Sequence, residues 1–311
     1  MGTLVLALNP SIDAEWRVNQ VQWEEKNVIR AERRWAGGKG VNVARWLRFL
    51  RGDPELLLPL GGTTGTELAG CLRDEKLPTT IVPLHQASRV NVIVTTADGR
   101  QLRFNPPGPE LSRLEWLTVV RKIRRLLARV SCVVISGSLP QGVGADAYAE
   151  IVRHAHRAGV KAIVDCDGEA FRAAIRVRPF LVKPNEHELA QWQGRPLRSE
   201  ASVVRAAKAL SIQTRGWVMV SRGMDGGLLV NERERLEFSA HPPRIKPINS
   251  VGAGDAMVAA IARQIGCGAS PQEWLRRGVA AGTAATQCAA GKLPPAVLIE
   301  RLSKQIMVKQ G

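Results

Sequence analysis

The sequence predicts an α/β fold in which helices cover both faces of a mostly parallel sheet. Three observations lead to this prediction. The chain has 311 residues, of which 45% are hydrophobic, and this is enough for one large core. Residues 4–8 form a short continuous apolar run, which is typical of a buried parallel strand. From residue 111 onward, apolar runs alternate with segments of helical periodicity, as in consecutive βαβ units.

The N-terminal half combines strands of the main sheet with two excursions from it. Strands are expected at 4–8, 56–60 and 79–83, and helices at 41–50 and 67–76. Residues 16–35 alternate loosely and carry many charges, which is typical of an exposed antiparallel pair. The runs 90–96 and 100–104 flank Asp98-Gly99, a strong hairpin signal. We therefore expect the segments 13–36 and 88–106 to form a small β lid on a single domain that spans residues 1–311.

The C-terminal half follows the βαβ rhythm more regularly. Strands are expected at 132–135, 161–164, 180–182, 217–220, 227–230 and 235–239. Helices are expected at 111–129, 146–158, 169–175 and 200–211, and over most of 254–309. This alternation predicts parallel strands whose carboxyl ends lie on one side of the sheet, where open α/β sheets bind their ligands.

The charge of the chain is its most unusual global property. Its 44 Lys and Arg residues outnumber its 28 Asp and Glu residues, which gives a formal net charge of +16. Such a balance favours anionic partners: nucleic acid, an acidic membrane or phosphorylated small molecules. One local cluster, Arg121 to Arg125, lies in a stretch of helical periodicity and is typical of a solvated helix face. The sequence has no zinc-ligand spacing and no RNA-binding signature.

The N-terminal residues and the hydropathy indicate a cytoplasmic protein. Residues 1–10 lack the basic region and the cleavage pattern of a signal peptide. The chain contains no run of 18 apolar residues, so no transmembrane helix and no membrane partner are expected.

The strongest motif is Asn249-Ser250-Val251-Gly252-Ala253-Gly254-Asp255-Ala256, which precedes a helix of small apolar residues. Glycines before a helix allow backbone N–H groups to face a ligand, and the helix N-terminus favours an anion there. The spacing leaves two interpretations of Asp255 open. In one, its carboxylate caps the amides of the first turn. In the other, it accepts a proton from a hydroxyl that attacks a bound phosphate.

Two further motifs carry charged groups or hard oxygens. Gly37-Gly38-Lys39-Gly40-Val41-Asn42 offers close backbone approach and a lysine suited to phosphate, unless it is a plain turn before a helix. In Lys183-Pro184-Asn185-Glu186-His187-Glu188, Asn185 and Glu188 are three residues apart and share one helix face. Their oxygens suit Mg²⁺ held through waters, although the same spacing is typical of an N-capped helix start.

Four segments in a fixed order give the chain a resemblance to a known family. They are Gly37 to Asn42, Ser136-Gly137-Ser138-Leu139-Pro140, Lys183-Pro184-Asn185 with Glu188, and Gly252 to Asp255. Together they resemble the phosphofructokinase B (PfkB) family of ribokinase-like carbohydrate kinases. The opening Asn9-Pro10-Ser11-Ile12-Asp13 further resembles its hexose-phosphate branch. The resemblance implies a three-layer ribokinase-like fold with a β lid, ATP and Mg²⁺ as cofactors, and a homodimer formed through the lid.

The resemblance also implies roles for individual residues. Asp255 matches the catalytic base of the family, and Gly252, Ala253 and Gly254 match its anion hole. The implied sugar-phosphate site comprises Asp13, Lys26, Gly37, Gly38, Lys39, Asn42, Arg89, Arg103 and Ser138, with the four basic residues facing the phosphate. The implied nucleotide site comprises Lys183, Asn185, Ser221, Gly223, Gly226 and Asn249, with Asn185 and Glu188 near Mg²⁺.

The implied activity is ATP-dependent phosphorylation of a sugar phosphate. Fructose 1-phosphate and fructose 6-phosphate are the first candidates, with fructose 1,6-bisphosphate as product, and tagatose 6-phosphate is the near alternative. Arg103 resembles members that act on fructose 6-phosphate, whereas Gly38-Lys39-Gly40 resembles members that act on the other two sugars. A non-catalytic polyanion or nucleic-acid binder is the alternative from a different class, favoured only by the charge of +16. Asp255 and its two glycines favour the kinase.

Overall fold

The computed structural model describes residues 2–311, in which strands and helices alternate along most of the chain. The strands are β1 (Gly2–Leu6), β2 (Ser11–Arg17), β3 (Ala31–Gly37), β4 (Pro54–Gly61), β5 (Thr79–Leu84), β6 (Arg89–Thr95), β7 (Gln101–Phe104), β8 (Val130–Ser136), β9 (Lys161–Asp165), β10 (Leu181–Val182), β11 (Trp217–Ser221), β12 (Gly227–Asn231), β13 (Leu236–Ala240) and β14 (Val308–Gln310). The helices are α1 (Lys39–Phe49), α2 (Gly62–Asp74), α3 (Arg113–Leu127), α4 (Ala147–Arg157), α5 (Gly168–Ile175), α6 (Glu186–Gln193), α7 (Glu200–Thr214), α8 (Ala253–Gly266), α9 (Pro271–Ala285) and α10 (Ala296–Gln305).

The larger sheet confirms the predicted, mostly parallel arrangement. Its strand order is β14-β13-β12-β11-β10-β9-β8-β1-β4-β5, and every pair from β11 to β5 is parallel. The strands β12, β13 and β14 join in antiparallel fashion at one edge. Because parallel strands end on the same side of a sheet, the loops after β1, β8, β9 and β10 meet there.

Helices cover both faces of this sheet, because successive side chains of each strand point to opposite faces. In β1, Leu4 and Leu6 pack into one core, whereas Val5 packs into the other. The first core includes side chains of α3 to α7, and the second includes those of α1, α2 and α8 to α10. The predicted three-layer arrangement is thereby confirmed. Within residues 2–311, none of these helices has both the length and the apolar character needed to cross a bilayer.

A second, smaller sheet is built from the two segments in which the lid is predicted. Its order is β3-β2-β6-β7. The central strand β2 pairs antiparallel with β3 and parallel with β6, which places Asp13 between Trp35 and Asn91. Strands β6 and β7 form the predicted hairpin around Asp98-Gly99. Because only residues 7–10 separate β1 from β2, the start of the small sheet lies beside the carboxyl ends of the main sheet.

The C-terminal segment contains one strand that the sequence does not predict. The last residues form β14, which pairs antiparallel with β13 after α10 ends at Gln305. A strand of three residues is too short to show an alternation of apolar and polar side chains, so no periodic signal exists for it.

Candidate active site

A cavity of about 650 Å³ lies between the carboxyl ends of the parallel strands and the small sheet. The loop after β1, the small sheet, the loops after β8 to β10 and the start of α8 all contribute to its lining. A second cavity of about 700 Å³ adjoins it. Ser221, Ser250 and Gly254 border both cavities, so the turn before α8 lies at their junction.

The turn before α8 leaves backbone amides available to a ligand. Gly252 is the N-cap and has a φ of 82°, a left-handed conformation that favours glycine. Because Gly252 has no side chain, it cannot cap the amides at this end of the helix. A methyl group added at Gly254 would lie 3.5 Å from Lys183 Nζ, so an ammonium stands directly beside the turn. The helix dipole, free amides and this ammonium together favour an anion.

Asp255 lies in the first turn of α8 and is hydrogen-bonded away from the helix end. Its Oδ2 accepts a hydrogen bond from Asn42 Nδ2 at 2.8 Å, and the residue is only 6% exposed. Burial raises the pKa of Asp255 to about 6, and repulsion by Asp165 contributes to the rise. The carboxyl is therefore mostly ionised at pH 7 and still able to take up a proton. Of the two interpretations of Asp255, this geometry favours the base over the cap.

A buried ion pair joins the carboxyl ends of β9 and β10, and its acid, Asp165, belongs to none of the sequence motifs described above. Oδ1 of Asp165 lies 3.1 Å from Nζ of Lys183, and the two side chains are 1% and 4% exposed. Burial alone would raise the pKa of Asp165, but Lys183 and Lys39 hold it below its ordinary value. The signal that points to Asp165 is its position, because it is the last residue of a buried parallel strand.

Lys39 begins α1 and extends toward these acidic groups. Its Nζ lies 3.8 Å from Asp165 Oδ1 and 4.0 Å from Glu188 Oε1. Attraction to Asp165 raises the pKa of Lys39, although burial opposes the rise. Gly38, the N-cap of α1, has a φ of 97°, so the chain enters the helix through a conformation that favours glycine. Lys39 therefore lies among carboxylates, whereas the prediction grouped it with Arg89 at the sugar phosphate.

The small sheet contributes Asp13 to the cavity. Its Oδ1 accepts hydrogen bonds from Ser11 Oγ at 2.8 Å and Asn91 Nδ2 at 2.9 Å. Burial raises the pKa of Asp13, and these hydrogen bonds offset the rise only in part. Any side chain at Gly37 would overlap the Asp13 carboxylate. Gly37 itself does not line the cavity, and its lack of a side chain leaves the space that the Asp13 carboxylate occupies.

Arg89 is held at the cavity wall by carbonyl groups rather than by carboxylates. Its Nη1 donates to the Pro106 carbonyl and its Nη2 to the Asn9 carbonyl, each at 2.9 Å. Its Nε is buried and has no hydrogen-bond partner within residues 2–311. The Asn9 side chain in turn donates to the Pro107 carbonyl at 2.8 Å and to Ser138 Oγ at 3.1 Å. Three loops thus fix a guanidinium that still has a donor to offer.

Three other predicted sugar-site residues, Ser138, Arg103 and Asn42, also line this cavity. Ser138 does so from the loop after β8 and Arg103 from β7, where its Nη2 donates to Gln101 Oε1 at 2.9 Å. The side-chain amide of Asn42 already has two partners at the cavity wall. Its Nδ2 donates to Asp255, and its Oδ1 accepts from Arg45 Nη1 at 3.0 Å. The structure thus shows Asn42 as a hydrogen-bonded neighbour of Asp255.

Lys26 is the one predicted basic residue that the chain does not bring to this site. It lies exposed in the loop between β2 and β3 and is absent from the cavity lining. Strand β2 runs on from Asp13 for about 13 Å before that loop begins, which takes Lys26 away from the cavity.

The second cavity contains three of the six residues predicted for the nucleotide. Ser221, Gly223 and Gly226 line it together with the segment 242–247. Gly226 has a φ of 82°, and a side chain there would overlap the carbonyl of Ala240. Asn249 lines neither cavity, because its Oδ1 accepts a hydrogen bond from the Val251 amide at 3.1 Å and stabilises the turn before α8. Lys183 and Asn185 line the first cavity.

Comparisons of sequence with known proteins agree with this geometry. Residues 9–296 match the family described as pfkB family carbohydrate kinase. The chain is 36% identical over 284 residues to the ATP-dependent 6-phosphofructokinase isozyme 2 of Escherichia coli K12, a match that covers 90% of this chain and 91% of that protein. It is 32% identical over 280 residues to the 1-phosphofructokinase of Borreliella burgdorferi, covering 90% of each.

The chain belongs to the pfkB family of carbohydrate kinases. Its fold is similar to the crystal structure of phosphofructokinase-2 from Escherichia coli in complex with potassium, with a TM-score of 0.92 and 33% identity over 98% of each chain. An Arabidopsis thaliana ribokinase complexed with ribose and ATP shares the fold alone, with a TM-score of 0.78 and 20% identity over 97% of this chain and 98% of that one. The predicted family and ribokinase-like fold are confirmed.

Membership of the pfkB family also settles the reaction class. The protein is a phosphotransferase that acts on an alcohol group, and its named relatives are fructose-phosphate kinases. This decides against the non-catalytic polyanion binder.

Asn185 and Glu188, the residues predicted near Mg²⁺, form the N-cap of α6. Asn185 Oδ1 accepts from the Glu188 amide at 2.8 Å, and Glu188 Oε2 accepts from the Asn185 amide at 2.9 Å. The cap interpretation is confirmed, and it leaves Glu188 Oε1 at the cavity. Within residues 2–311, no three His, Cys, Asp or Glu side chains cluster to hold a metal ion. The residues fit a Mg²⁺ ion whose other ligands are nucleotide phosphates and water.

Proposed function

We propose that this pfkB kinase transfers the γ-phosphoryl group of ATP to a hydroxyl of fructose 1-phosphate or fructose 6-phosphate, giving fructose 1,6-bisphosphate. One observation carries the proposal: Asp255, at the anion-binding start of α8, shares a cavity with Arg89 and Arg103. A proton acceptor, phosphoryl-binding amides and cations for a second phosphate are the groups that this reaction needs. The names of the relatives, a 6-phosphofructokinase and a 1-phosphofructokinase, support both sugars.

Asp255 is the proposed base. The hydrogen bond from Asn42 occupies its Oδ2, which leaves Oδ1 for the attacking hydroxyl. The hydroxyl oxygen forms a bond to the γ-phosphorus, the bond from that phosphorus to the bridging oxygen of ADP breaks, and the hydroxyl proton passes to Asp255. A pKa of about 6 suits this step, because the carboxylate is ionised at neutral pH and remains a useful proton acceptor.

The start of α8 and Lys183 are proposed to stabilise the phosphoryl group during transfer. Free amides at the helix start can donate to its equatorial oxygens, where negative charge is spread in the transition state. Lys183 adds a positive charge beside Gly254 and is held there by Asp165. Mg²⁺, when bound with ATP, neutralises phosphate charge, and Glu188 would hold it through water. Ser221, Gly223 and Gly226 would contact the nucleoside part of ATP in the second cavity.

Asp13, Arg89 and Arg103 are proposed to bind the sugar phosphate. The Asp13 carboxylate is an acceptor for sugar hydroxyls, and its hydrogen bonds from Ser11 and Asn91 fix its direction. Each Nη group of Arg89 keeps one N–H beside the carbonyl to which it donates, and Arg103 has further donors. Both guanidinium groups can therefore donate to the phosphate, a pairing that guanidinium geometry favours. A neutral sugar would bring no anion to either guanidinium group, so we expect unphosphorylated sugars to be poor substrates.

The small sheet is also proposed to form a homodimer contact. It and its loops carry exposed apolar side chains, namely Trp23, Val28, Ile29, Leu102 and Phe104. Pairing with a second copy would bury them. Phosphofructokinase-2 from Escherichia coli is itself known in a tetrameric, inhibited form. Sedimentation of the purified protein, with a Phe104→Asp variant for comparison, tests this; a wild-type monomer at micromolar concentration would contradict it.

A substrate panel tests the proposed activity. Purified protein with ATP and Mg²⁺ is assayed for ADP and for sugar product with fructose 6-phosphate, fructose 1-phosphate and tagatose 6-phosphate. Tagatose 6-phosphate differs from fructose 6-phosphate at one hydroxyl-bearing carbon, so it is the closest alternative substrate. The proposal predicts sugar-dependent ADP release with a fructose phosphate that is absent in Asp255→Asn. Turnover confined to tagatose 6-phosphate, or to a free sugar, would contradict the proposal.

A further inference from the structure

A line of hydrogen bonds runs from the end of α2 into the candidate active site. Glu75, the residue after α2, accepts from Arg45 with both oxygens, at 2.6 Å from Nε and 2.7 Å from Nη2. Arg45 Nη1 donates to Asn42 Oδ1 at 3.0 Å. Asn42 Nδ2 donates to Asp255 Oδ2 at 2.8 Å. Two intervening side chains thus connect the partly exposed Glu75 to the buried carboxyl of Asp255.

Arg45 determines which end of the Asn42 amide meets Asp255. A guanidinium group only donates hydrogen bonds, so the Asn42 atom beside it must be the carbonyl oxygen. The NH₂ group then points to Asp255, which as a carboxylate needs a donor. In the reversed orientation, the amide oxygen would face the carboxylate and the NH₂ group would face the guanidinium. Both contacts would then be repulsive and unsatisfied.

Arg45 is itself held from more than one side. Its pairing with Glu75 uses two parallel hydrogen bonds, the most directional form of an arginine–carboxylate pair. Its Nη2 also donates to the Ala36 carbonyl of β3 at 2.8 Å. Since the residue is buried, no water competes strongly for these contacts. Helices α1 and α2 and strand β3 therefore meet at one guanidinium group.

We propose that Arg45 and Glu75 are positioning residues for the phosphoryl transfer, acting through Asn42 on the carboxylate of Asp255. This inference rests on the proposed function in that it takes Asp255 as the base. The line of hydrogen bonds keeps Oδ2 engaged and so keeps Oδ1 directed for the sugar hydroxyl. When the line is loosened, the Asn42 amide can rotate and the carboxylate loses its fixed direction. We expect kcat to fall while the KM for ATP changes little.

The other charged groups around Asp255 remain when this line is broken. They are Asp165 at the end of β9, Lys39 on α1 and Lys183 after β10. A weaker hydrogen bond from Asn42 removes an interaction that lowers the pKa of Asp255, so the acidic limb of kcat moves to higher pH. Loss of the Glu75 charge by itself leaves Arg45 less neutralised, which would move the limb to lower pH. The sign of the shift therefore separates positioning from simple charge.

A second arginine–glutamate pair on the same elements provides a matched control. Arg34 of β3 donates to both oxygens of Glu67 in α2, at 2.7 Å and 2.8 Å. It ties β3 to α2, whereas the Arg45–Glu75 pair ties α1 to the residue that follows α2. Neither residue lines the two cavities, and neither contacts Asn42. Substitutions in this pair therefore report what the loss of such a tie costs the fold alone.

The experiment compares Glu75→Gln and Arg45→Lys with Glu67→Gln and Arg34→Lys. It measures kcat and KM from about pH 5.5 to 8.5, thermal unfolding, and the pKa of Asp255 in the ligand-free protein by carboxyl ¹³C NMR. We expect Glu75→Gln to lower kcat by about 10-fold and Arg45→Lys by more, because lysine lacks the planar fork. The acidic limb should move up by about half a pH unit, the equivalent of one weakened hydrogen bond. The control variants should leave kcat and the limb where they are.

The outcomes separate this inference from the proposed function. If the wild-type enzyme is active, two results overturn the inference. One is an equal kcat and pH profile for Glu75→Gln and Glu67→Gln, and the other is an acidic limb of kcat that moves to lower pH in Glu75→Gln. If the wild-type protein has no sugar-phosphate turnover, the proposed function fails and the NMR titration decides. A higher pKa of Asp255 in Glu75→Gln than in Glu67→Gln then supports the positioning, and equal values overturn it. If Arg45→Lys does not fold, Glu75→Gln carries the test, since it keeps Arg45 and the shape of residue 75.

Discussion

The two ends of the candidate cavity carry positive charge in different ways. At the end formed by α1, β9 and β10, Lys39 and Lys183 both lie beside Asp165, so their charges are balanced within the chain. At the end formed by the small sheet, Arg89 donates to carbonyl groups, and Arg103 donates to an amide oxygen. Neither guanidinium forms an ion pair with a carboxylate in residues 2–311.

This difference indicates what each end is built to bind. Lysines balanced by a buried carboxylate are held in a fixed position, and we propose that they add local charge beside the phosphoryl group during transfer. Arg89, whose pKa is lowered by burial, and Arg103 have no carboxylate in salt-bridge contact, so both gain from an anion that arrives with the substrate. We therefore propose that the chemistry takes place at the first end and that the second end recognises the substrate phosphate. Substitutions at the two ends should affect different kinetic constants.

The largest effect is expected for Asp255→Asn at the chemical end. The amide keeps the shape of the side chain but is a far weaker base, so kcat should fall by at least about 100-fold with little change in the KM for ATP. The pKa of Asp255 is about 6 in the folded protein, above the ordinary value of 3.8. The folded state therefore favours the protonated carboxyl, and the stability that this carboxyl contributes at low pH is lost as the pH rises through 6. The variant should therefore be at least as stable as the wild type at pH 8. Steady-state kinetics and thermal unfolding measure both, with the exposed Asp74→Asn as control; turnover within about 3-fold of wild type would remove Asp255 from its role.

Arg89→Ala at the recognition end should change KM rather than kcat. Loss of its charged hydrogen bonds to the substrate phosphate should raise the KM for the sugar phosphate by about 10- to 100-fold, with the KM for ATP little changed. Arg100→Ala is a matched control in the same small sheet, because Arg100 is exposed and pairs with Asp98. An equal effect of both variants would show that the site does not depend on the guanidinium of Arg89.

Lys39→Ala sharpens the comparison, because loss of a cation should have different effects at the two ends. At the first end it should shift the pH dependence of kcat, and at the second it should raise the KM for the sugar phosphate. In the wild-type enzyme kcat should fall below about pH 6, where Asp255 becomes protonated. Attraction to Lys39 helps to lower the pKa of Asp255, so its removal should move this limb to higher pH. The KM for the sugar phosphate should change less than in Arg89→Ala. Measurement of kcat and KM over a series of pH values tests this. If the acidic limb of kcat does not shift and the KM for the sugar phosphate rises strongly, Lys39 binds the sugar phosphate instead.

The smallest effect is expected for Gly108→Ala, which disturbs the support of the recognition end. Gly108 has a φ of +96°, and a side chain there would overlap Asn9 Oδ1. Gly99→Ala is the matched control, since its φ is +85° and its surroundings are open. We expect a loss of about 1 kcal/mol in the control, from backbone strain, and about 1–2 kcal/mol more in Gly108→Ala. Denaturant unfolding measures this; equal losses would mean that Asn9 does not need its present position.

The fold and the glycine turn that begins α8 were largely predictable from the sequence. The alternation of apolar runs with helical periodicity is a local property, and it predicts the parallel sheet; Gly252 to Asp255 predicts an anion site because it depends on consecutive residues. Long-range partners leave no such signal. Arg45 and Glu75 are 30 residues apart, and their pairing depends on how α1 packs beside α2. For the same reason the sequence did not show that Lys39 lies beside Asp165.

The central claim is that this kinase selects a sugar that already carries a phosphate, and a ratio of specificity constants tests it most directly. The measurement is kcat/KM for the better of the two fructose phosphates divided by kcat/KM for free fructose, in the wild type and in Arg89→Ala. Two charged hydrogen bonds predict a wild-type ratio of at least about 100, and the variant should lower it by at least about 10-fold. A wild-type ratio near one, or a high ratio that Arg89→Ala leaves unchanged, would contradict the account.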